Sequence, residues 1–180
     1  TGNRSYTANW TENTYTISYT LNGGSVSTAN PTTYKVTTDT FTLNNPTKTG
    51  YTFKGWSGTG LTGDTNKTVS VTKGSTGNRS YTANWTANTY TVKFNQNGGS
   101  GGQTADVTAT YGSAMPTLST TKPTNGGYVF LGYYDATSGG TQYYKADMTS
   151  ARTWNKTATT TLYAQWSLDA YTISYTLNGG

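Results

Sequence analysis

The sequence has 180 residues and contains no cysteine and no histidine, which excludes disulfide bonds, thiolate and imidazole catalysis, and the usual zinc sites. Its net charge is +5, but charged residues make up only 11% of the chain and never gather into the basic stripe that a nucleic acid requires, so no nucleic-acid binding is expected. The sequence has no run of about 18 apolar residues, so it predicts no membrane insertion.

One segment recurs three times and divides the chain into modules. It occupies residues 2–24, 77–99 and 159–180, and it places Trp10, Trp85 and Trp166 at equivalent positions, 75 and then 81 residues apart. This spacing exceeds the ~20 to 50 residues of a solenoid turn, which indicates small domains in series. We predict a closing strand of a preceding module plus a joint in 1–14, modules in 15–85 and 90–166, a joint in 86–89, and a joint plus the opening strand of a following module in 167–180.

Apolar and polar residues alternate along both ends of each module, as in half-buried β-strands. The first module opens with YTISYTL (15–21), which ends at the turn residues Asn22, Gly23 and Gly24, and it closes with SYTANW (80–85). The second module opens with YTVKFNQ (90–96) before a second Asn-Gly-Gly turn, and it closes with TLYAQW (161–166). We expect the opening and closing strands of each module to lie in the same sheet.

The interior of each module carries further strand patterns. Residues 34–36, 41–43 and 69–71 alternate in the first module, and the glycine-flanked segments GYTFKGW (50–56) and GYVFLGYY (127–134) occupy equivalent places in the two modules. Tyrosine and phenylalanine two residues apart, between glycines, are typical of a core strand bounded by tight turns. Only residues 146–152 suggest a turn or two of helix.

The aromatic residues divide into a predicted core and a predicted contact surface. Period-2 placement and recurrence favour a structural core over a glycan-stacking platform for Trp10, Trp85, Trp166, Tyr51, Phe53, Tyr128 and Phe130. Adjacent side chains of a strand point to opposite faces of a sheet, so one tyrosine of each neighbouring pair should face outward. The candidate contact surface therefore consists of Tyr133, Tyr134, Tyr143 and Tyr144.

Acidic residues offer no catalytic or metal-binding constellation. Glu12 is the only glutamate, and the six aspartates are scattered. The loops around Asp64 and Asp135 resemble calcium loops only faintly, because each supplies one carboxylate where a calcium site uses several. We predict no enzyme activity, no catalytic or metal-ligating residues and no cofactor.

The order of three motifs in each module resembles a known family. YTISYTLNGG, NPTKTGYTFKGW and SYTANW in the first module correspond to YTVKFNQNGG, KPTNGGYVFLGYY and TLYAQW in the second. This order is similar to that of the Listeria-Bacteroides repeat family, also called internalin B-repeats. The resemblance implies a mainly β fold of tandem small β-grasp-like modules joined by short linkers, with little or no helix. It also implies bacterial cell-surface or secreted proteins, often adhesins, and no enzymatic activity.

Two functions follow as expectations. The first is a structural repeat region of an extracellular, adhesin-like protein that forms an extended stalk or fibre, with neighbouring copies of the repeat as partners. The alternative is a module that binds a host protein or glycan through the tyrosines of the second module. Residues 171–180 are identical to residues 15–24, so the true period is 156 residues and both terminal segments lack a sheet of their own. We expect neighbouring copies to bury Trp10 and Tyr171.

Overall fold

The computed structural model describes residues 2–119 and 121–179. Contacts between residues divide the chain into two compact units, the first ending at Thr86 and the second beginning at Ala87. The described residues form strands, turns and loops without a helix, so the prediction of a mainly β chain is confirmed. The β-grasp-like arrangement within the modules stays a prediction.

The described part of the first unit has six strands: β1 (Tyr15–Thr20), β2 (Thr33–Tyr34), β3 (Phe41–Thr42), β4 (Tyr51–Gly58), β5 (Ser70–Val71) and β6 (Arg79–Ala87). Four of them form one sheet in the order β2-β1-β6-β4, and β3 pairs with β5 separately. The opening strand β1 runs parallel to the closing strand β6, with Ile17 opposite Arg79 and Thr20 opposite Thr82. The opening and closing strands therefore share a sheet, as predicted.

The described part of the second unit has seven strands: β7 (Thr89–Asn95), β8 (Ser100–Gly101), β9 (Val107–Thr110), β10 (Pro123–Thr124), β11 (Tyr128–Tyr134), β12 (Gln142–Lys145) and β13 (Thr160–Leu168). The main sheet has the order β12-β11-β13-β7-β9, and β8 pairs with β10. Again the opening strand β7 runs parallel to the closing strand β13, with Val92 opposite Thr160 and Asn95 opposite Tyr163.

Each unit has its own hydrophobic core because the alternating strands turn their apolar faces inward. The core of the first unit consists of Ile17, Tyr34, Leu43, Trp56, Val69, Val71, Tyr81 and Ala83. The core of the second consists of Val92, Ala109, Met115, Leu118, Phe130, Tyr133, Tyr143, Tyr144, Met148, Trp154, Leu162 and Ala164. Large aromatic side chains supply the buried area that units of this size otherwise lack.

The helical tendency predicted for residues 146–152 is wrong. The segment is a tight turn after β12, in which Met148 donates its backbone N–H to the Lys145 carbonyl and adopts a left-handed φ of 68°. The carboxylate of Asp147 accepts the backbone N–H of Thr149 at 3.0 Å. This local bond offers the backbone an alternative to helical hydrogen bonds, which explains why the turn does not continue.

The terminal segments lie outside the sheets. No strand forms among the described residues 2–14 and 169–179, and Trp10 is 91% exposed. The contrast with the sheet is sharp, since Ile173 is 74% exposed whereas Ile17, which stands at the same place in an identical sequence, is 4% exposed. The N-terminal segment is held where Glu12 accepts the backbone N–H of Thr37 at 2.9 Å.

Candidate functional site

The most distinctive feature shared by the two units is the pairing of the first strand with the last. We call this pairing the closing seam; it consists of β1 and β6 in the first unit and of β7 and β13 in the second. Each seam has four register pairs. The seam is shielded on its core side by Ile17 and Tyr81 in one unit and by Val92 and Leu162 in the other. The same architecture is thus built twice from sequences that differ at most positions.

An asparagine just after the opening strand connects the two strands beyond their backbone ladder. Asn22 and Asn97 have left-handed φ angles of 50° and 48°, a conformation that asparagine tolerates better than most residues. In this conformation the side-chain Nδ2 of Asn22 donates to the Ala83 carbonyl at 2.9 Å, and that of Asn97 donates to the Ala164 carbonyl at 2.9 Å. The asparagine therefore holds the end of the opening strand against the closing strand.

A tryptophan of the closing strand makes the reciprocal contact. The indole Nε1 of Trp85 donates to the Leu21 carbonyl at 3.1 Å, and that of Trp166 donates to the carbonyls of Gln96 at 3.2 Å and Asn97 at 3.1 Å. The two indoles also pack against a phenylalanine of the neighbouring strand, with ring centroids 5.5 Å apart in both units.

A glycine makes room for each indole. A Cβ atom on Gly24 would lie 2.4 Å from Cζ2 of Trp85, and one on Gly99 would lie 2.4 Å from Cζ2 of Trp166. No side chain fits at that distance, so the glycine is required by the close approach of the ring. We call the three residues the Asn-Trp latch; they are Asn22, Gly24 and Trp85 in the first unit and Asn97, Gly99 and Trp166 in the second.

Lysine strengthens the latch in the first unit only. Lys48 Nζ donates to the Asn22 carbonyl at 2.9 Å and lies 4.1 Å from the ring centroid of Tyr51 and 5.9 Å from that of Trp85. Such a position over aromatic rings is favourable for an ammonium group. Beside it is a shallow cleft of about 400 Å³ lined by Gly23, Ser25, Thr47, Lys48, Thr49 and Tyr51.

The predicted contact surface of the second unit is wrong for three of its four tyrosines. Tyr133, Tyr143 and Tyr144 have no exposed area, and Tyr134 is half-buried. The Tyr144 hydroxyl donates to the Pro116 carbonyl at 2.8 Å, and that of Tyr143 donates to Asn155 Oδ1 at 2.6 Å. Burial raises the pKa of all three phenols.

Two features explain the burial of these tyrosines. The pairing of β11 with β12 shifts register between Tyr133 and Tyr134, and such a bulge breaks the simple alternation of faces. In β12, the side of the strand that faces away from Tyr144 is covered as well, since Trp154 packs against Tyr143 with ring centroids 5.3 Å apart.

The predicted core aromatics fall into three groups. Phe130 is buried, and Phe53, Trp85 and Trp166 are half-buried and pack against the cores. Tyr51 is half-buried at the Lys48 contact. The core assignment is wrong for Tyr128, which is 45% exposed at the start of β11. Trp10 is 91% exposed in a segment that forms no strand, and its place in the core of a preceding module stays a prediction.

The acidic loops are neutralised by lysines. Asp64 pairs with Lys54 at 2.7 Å, and Asp135 pairs with Lys156 at 2.8 Å. The pKa of Asp135 is lowered: burial opposes this shift, and the hydrogen bonds from Lys156 and the Thr141 backbone N–H outweigh it. Among residues 2–119 and 121–179, no three acidic side chains form a group that could hold a metal ion.

The same described residues contain no helix that is long and apolar enough to cross a membrane.

The sequence patterns placed Asn22 and Asn97 in turns but did not predict their contacts with the closing strands, and they assigned no role to Lys48. A signal for the two asparagines was present, since Asn-Gly-Gly follows the opening strand in both modules and a tryptophan ends both closing strands. The missing information was the parallel pairing of β1 with β6 and of β7 with β13, which brings these distant motifs together.

The fold and the seam define a class of protein: a tandem array of small all-β modules, each closed by its own first and last strands. Comparison with known proteins gives the family. Residues 15–84 and 90–165 match the Listeria-Bacteroides repeat domain, and the chain belongs to this family.

Three relatives share the repeat over part of their length. The chain is 34% identical over 178 residues to a candidate membrane protein of Evansella cellulosilytica, covering 96% of this chain and 24% of the relative. It is 32% identical over 181 residues to a candidate glycine-rich membrane protein of the same organism, covering 96% and 18%. Internalin H of Listeria monocytogenes is 36% identical over 98 residues, covering 54% and 17%. The chain thus spans about a quarter or less of each relative.

Proposed function

We propose that the chain is a structural repeat region of a bacterial cell-surface or secreted, adhesin-like protein and forms part of an extended stalk or fibre without enzymatic activity. The closing seam is the observation that carries the proposal. Because the first and last strands of each unit pair with each other, a unit completes its own sheet and can be repeated in series. Family membership and the relatives named as membrane proteins or internalin support a place at the cell surface.

The experiment varies the number of repeats in a parent protein displayed on cells. Deleting residues 15–170, one period of 156 residues, should bring an epitope beyond the array closer to the cell wall, and duplicating them should move it outward. The distance from wall to epitope is measured by super-resolution imaging. A distance that does not change with repeat number would contradict the stalk function.

The alternative, binding of a host protein or glycan through the second unit, loses its main support. It depended on exposed tyrosines, and three of the four are buried. Tyr134 remains half-buried. We therefore retain the structural function.

We further propose that the terminal segments are strands of neighbouring modules, which become the partners of this chain. Residues 2–11 repeat residues 77–86, which include most of β6, and residues 171–179 repeat residues 15–23, which include β1. The exposed side chains of these segments, among them Tyr6, Trp10, Tyr171, Ile173 and Tyr175, are those that the equivalent strands turn toward the first unit's sheet and core.

Extending the chain tests this pairing. Residues 25–86 are appended after Gly180, which supplies the rest of a module to the segment 171–180. We expect the amides of residues 173–176 to become protected from hydrogen exchange by roughly a hundredfold or more, as in a stable sheet. The 180-residue chain is the control. Equal exchange in the two proteins would show that the segment does not form an opening strand.

A further inference from the structure

The arrangement of the closing seam determines the direction in which tension along the chain acts on the paired strands of each unit. The polypeptide reaches the first unit at the start of β1, near Tyr15, and leaves it at the end of β6, near Ala87. Because β1 and β6 are parallel, these two points lie at opposite ends of the same strand pair. The second unit repeats this arrangement with β7 and β13.

The direction of force relative to the strands decides how the hydrogen bonds break. Pulling on opposite ends of a parallel pair drives the strands past each other, so the bonds of the ladder are stressed together. Pulling on the same end of two strands peels them apart, so the bonds break in succession. Tension between the ends of a unit therefore acts on its seam in shear, the direction in which the bonds share the force.

Side-chain hydrogen bonds extend the seam beyond its backbone ladder. At the amino-terminal end, the backbone N–H of Thr16 donates to Asn78 Oδ1 at 2.9 Å. At the other end the latch adds the bonds from Asn22 Nδ2 to the Ala83 carbonyl and from Trp85 Nε1 to the Leu21 carbonyl. All of them join the two strands that tension would slide past each other.

The core shields the same bonds from water. Ile17 is 4% exposed and Tyr81 is 2% exposed, and Val92 and Leu162 in the second unit have no exposed area. Shear of either seam must move these side chains out of the core before water can replace the broken hydrogen bonds. Unfolding by shear is thus slowed by packing as well as by the ladder.

We propose that the closing seam with its Asn-Trp latch is a mechanical clamp, which makes resistance to tension a further function of each unit. The proposal builds on the stalk function, because a stalk that joins a cell to a target transmits force along its length. Its test measures single molecules and is independent of surface display. If the units unfold at equal force in both pulling geometries, the clamp is refuted and the stalk proposal is unaffected. If the distance from wall to epitope does not change with repeat number, the stalk proposal is refuted and the clamp is unaffected.

Force spectroscopy on the 180-residue chain tests the proposal. The chain has no cysteine, so Asn3→Cys and Asn178→Cys provide unique handles in the exposed terminal segments. We expect two unfolding events, each releasing roughly 200 to 250 Å of chain, as estimated from the extended length per residue.

A second pair of handles reverses the direction of force in the first unit. Thr14→Cys and Thr76→Cys are both exposed and lie before the starts of β1 and β6, so force at these points peels the seam. Because forced unfolding depends on the barrier along the pulled direction, we expect the first unit to unfold at roughly half the force or less in this geometry. Equal forces in the two geometries would overturn the proposal.

Asn22→Ala tests the latch, with Asn13→Ala as the matched control at an exposed position outside the seam. Losing the partly buried hydrogen bond to the Ala83 carbonyl should speed unfolding of the first unit in the shear geometry about tenfold at a fixed force. The peeling geometry breaks bonds at the opposite end of the seam first, so its force should change little. An equal effect of Asn22→Ala in both geometries would reduce the latch to general stabilisation and overturn its role in the clamp.

Discussion

At the scale of single residues, the latch explains why a few positions recur in both modules while most others differ. The asparagine is needed for a left-handed turn with a side-chain donor, the glycine for the space under the indole, and the tryptophan for a donor on a large ring. These three requirements are independent of the identity of the core residues. The recurring asparagine, glycine and tryptophan therefore mark the closing seam.

The glycine under the indole gives a test within the second unit. Gly99→Ala places a methyl group where Trp166 and the Thr124 carbonyl already lie, so we expect a loss of about 1 to 3 kcal/mol from the free energy of unfolding. Gly126→Ala is the control, because a Cβ atom at Gly126 meets no atom within 4 Å and its φ is not left-handed. Urea denaturation measures both, and equal losses would contradict the steric explanation.

The two copies of SYTANW provide a test of the tryptophan. Trp85→Ala removes a half-buried ring that packs on Phe53, and we expect a loss of about 3 kcal/mol, the low end for truncation of a large aromatic residue. Trp10→Ala is the matched control, because residues 2–11 are identical to residues 77–86 but Trp10 is 91% exposed. The urea midpoint of the first unit should move only for Trp85→Ala.

At the scale of elements, the same parallel seam accommodates different side chains in the two units. Tyr19 in β1 packs against Tyr81, and its hydroxyl donates to the Pro31 carbonyl at 2.8 Å. In β7 the equivalent residue is Phe94, opposite Leu162. The pKa of Tyr19 is raised to about 12, mainly by burial and to a smaller extent by the nearby Tyr81. The first seam thus carries a titratable group that the second lacks.

This difference predicts a dependence on alkaline pH. The folded state keeps the Tyr19 proton up to a pKa of about 12, whereas the unfolded chain loses it near the ordinary value of 10. The stabilisation is therefore complete below pH 10 and is lost as the pH rises from 10 to 12. We expect Tyr19→Phe to reduce the loss of stability of the first unit over this interval, as measured by urea denaturation at pH 9 and pH 11.5. An unchanged pH profile would contradict the assignment.

The elements also show which parts of the fold the sequence could predict. Period-2 patterns located β1, β4 and β6 and their counterparts β7, β11 and β13, because each of these strands has one face in the core. The turn around Met148 was not predicted, because a local carboxylate bond competes with helix formation there. The burial of Tyr143 and Tyr144 was missed for a different reason: the covering residues Trp154 and Pro116 are distant in sequence, and alternation says nothing about them.

At the scale of the whole molecule, the chain combines two units of different character. In the first unit, Lys48 contacts the Asn22 carbonyl of the latch and the ring of Tyr51. The second unit has a larger core, which includes Met115, Leu118 and Trp154. Each core consists entirely of residues of its own unit. An array of such units gains length by repetition without requiring any residue of one core to fill another.

Separate cores predict that each unit folds by itself. A fragment of residues 12–87 retains the whole of β1 to β6, the first core and the contact of Glu12 with Thr37, and a fragment of residues 87–170 retains β7 to β13. We expect each fragment to unfold cooperatively in urea with a free energy of about 3 to 5 kcal/mol, as is usual for cores of this size. Ending the first fragment at Gly77 removes β6 and should abolish the transition, because the opening strand then has no parallel partner and Tyr81 and Ala83 leave the core. A truncated fragment that still unfolded cooperatively would show that the closing strand is not needed to complete the unit.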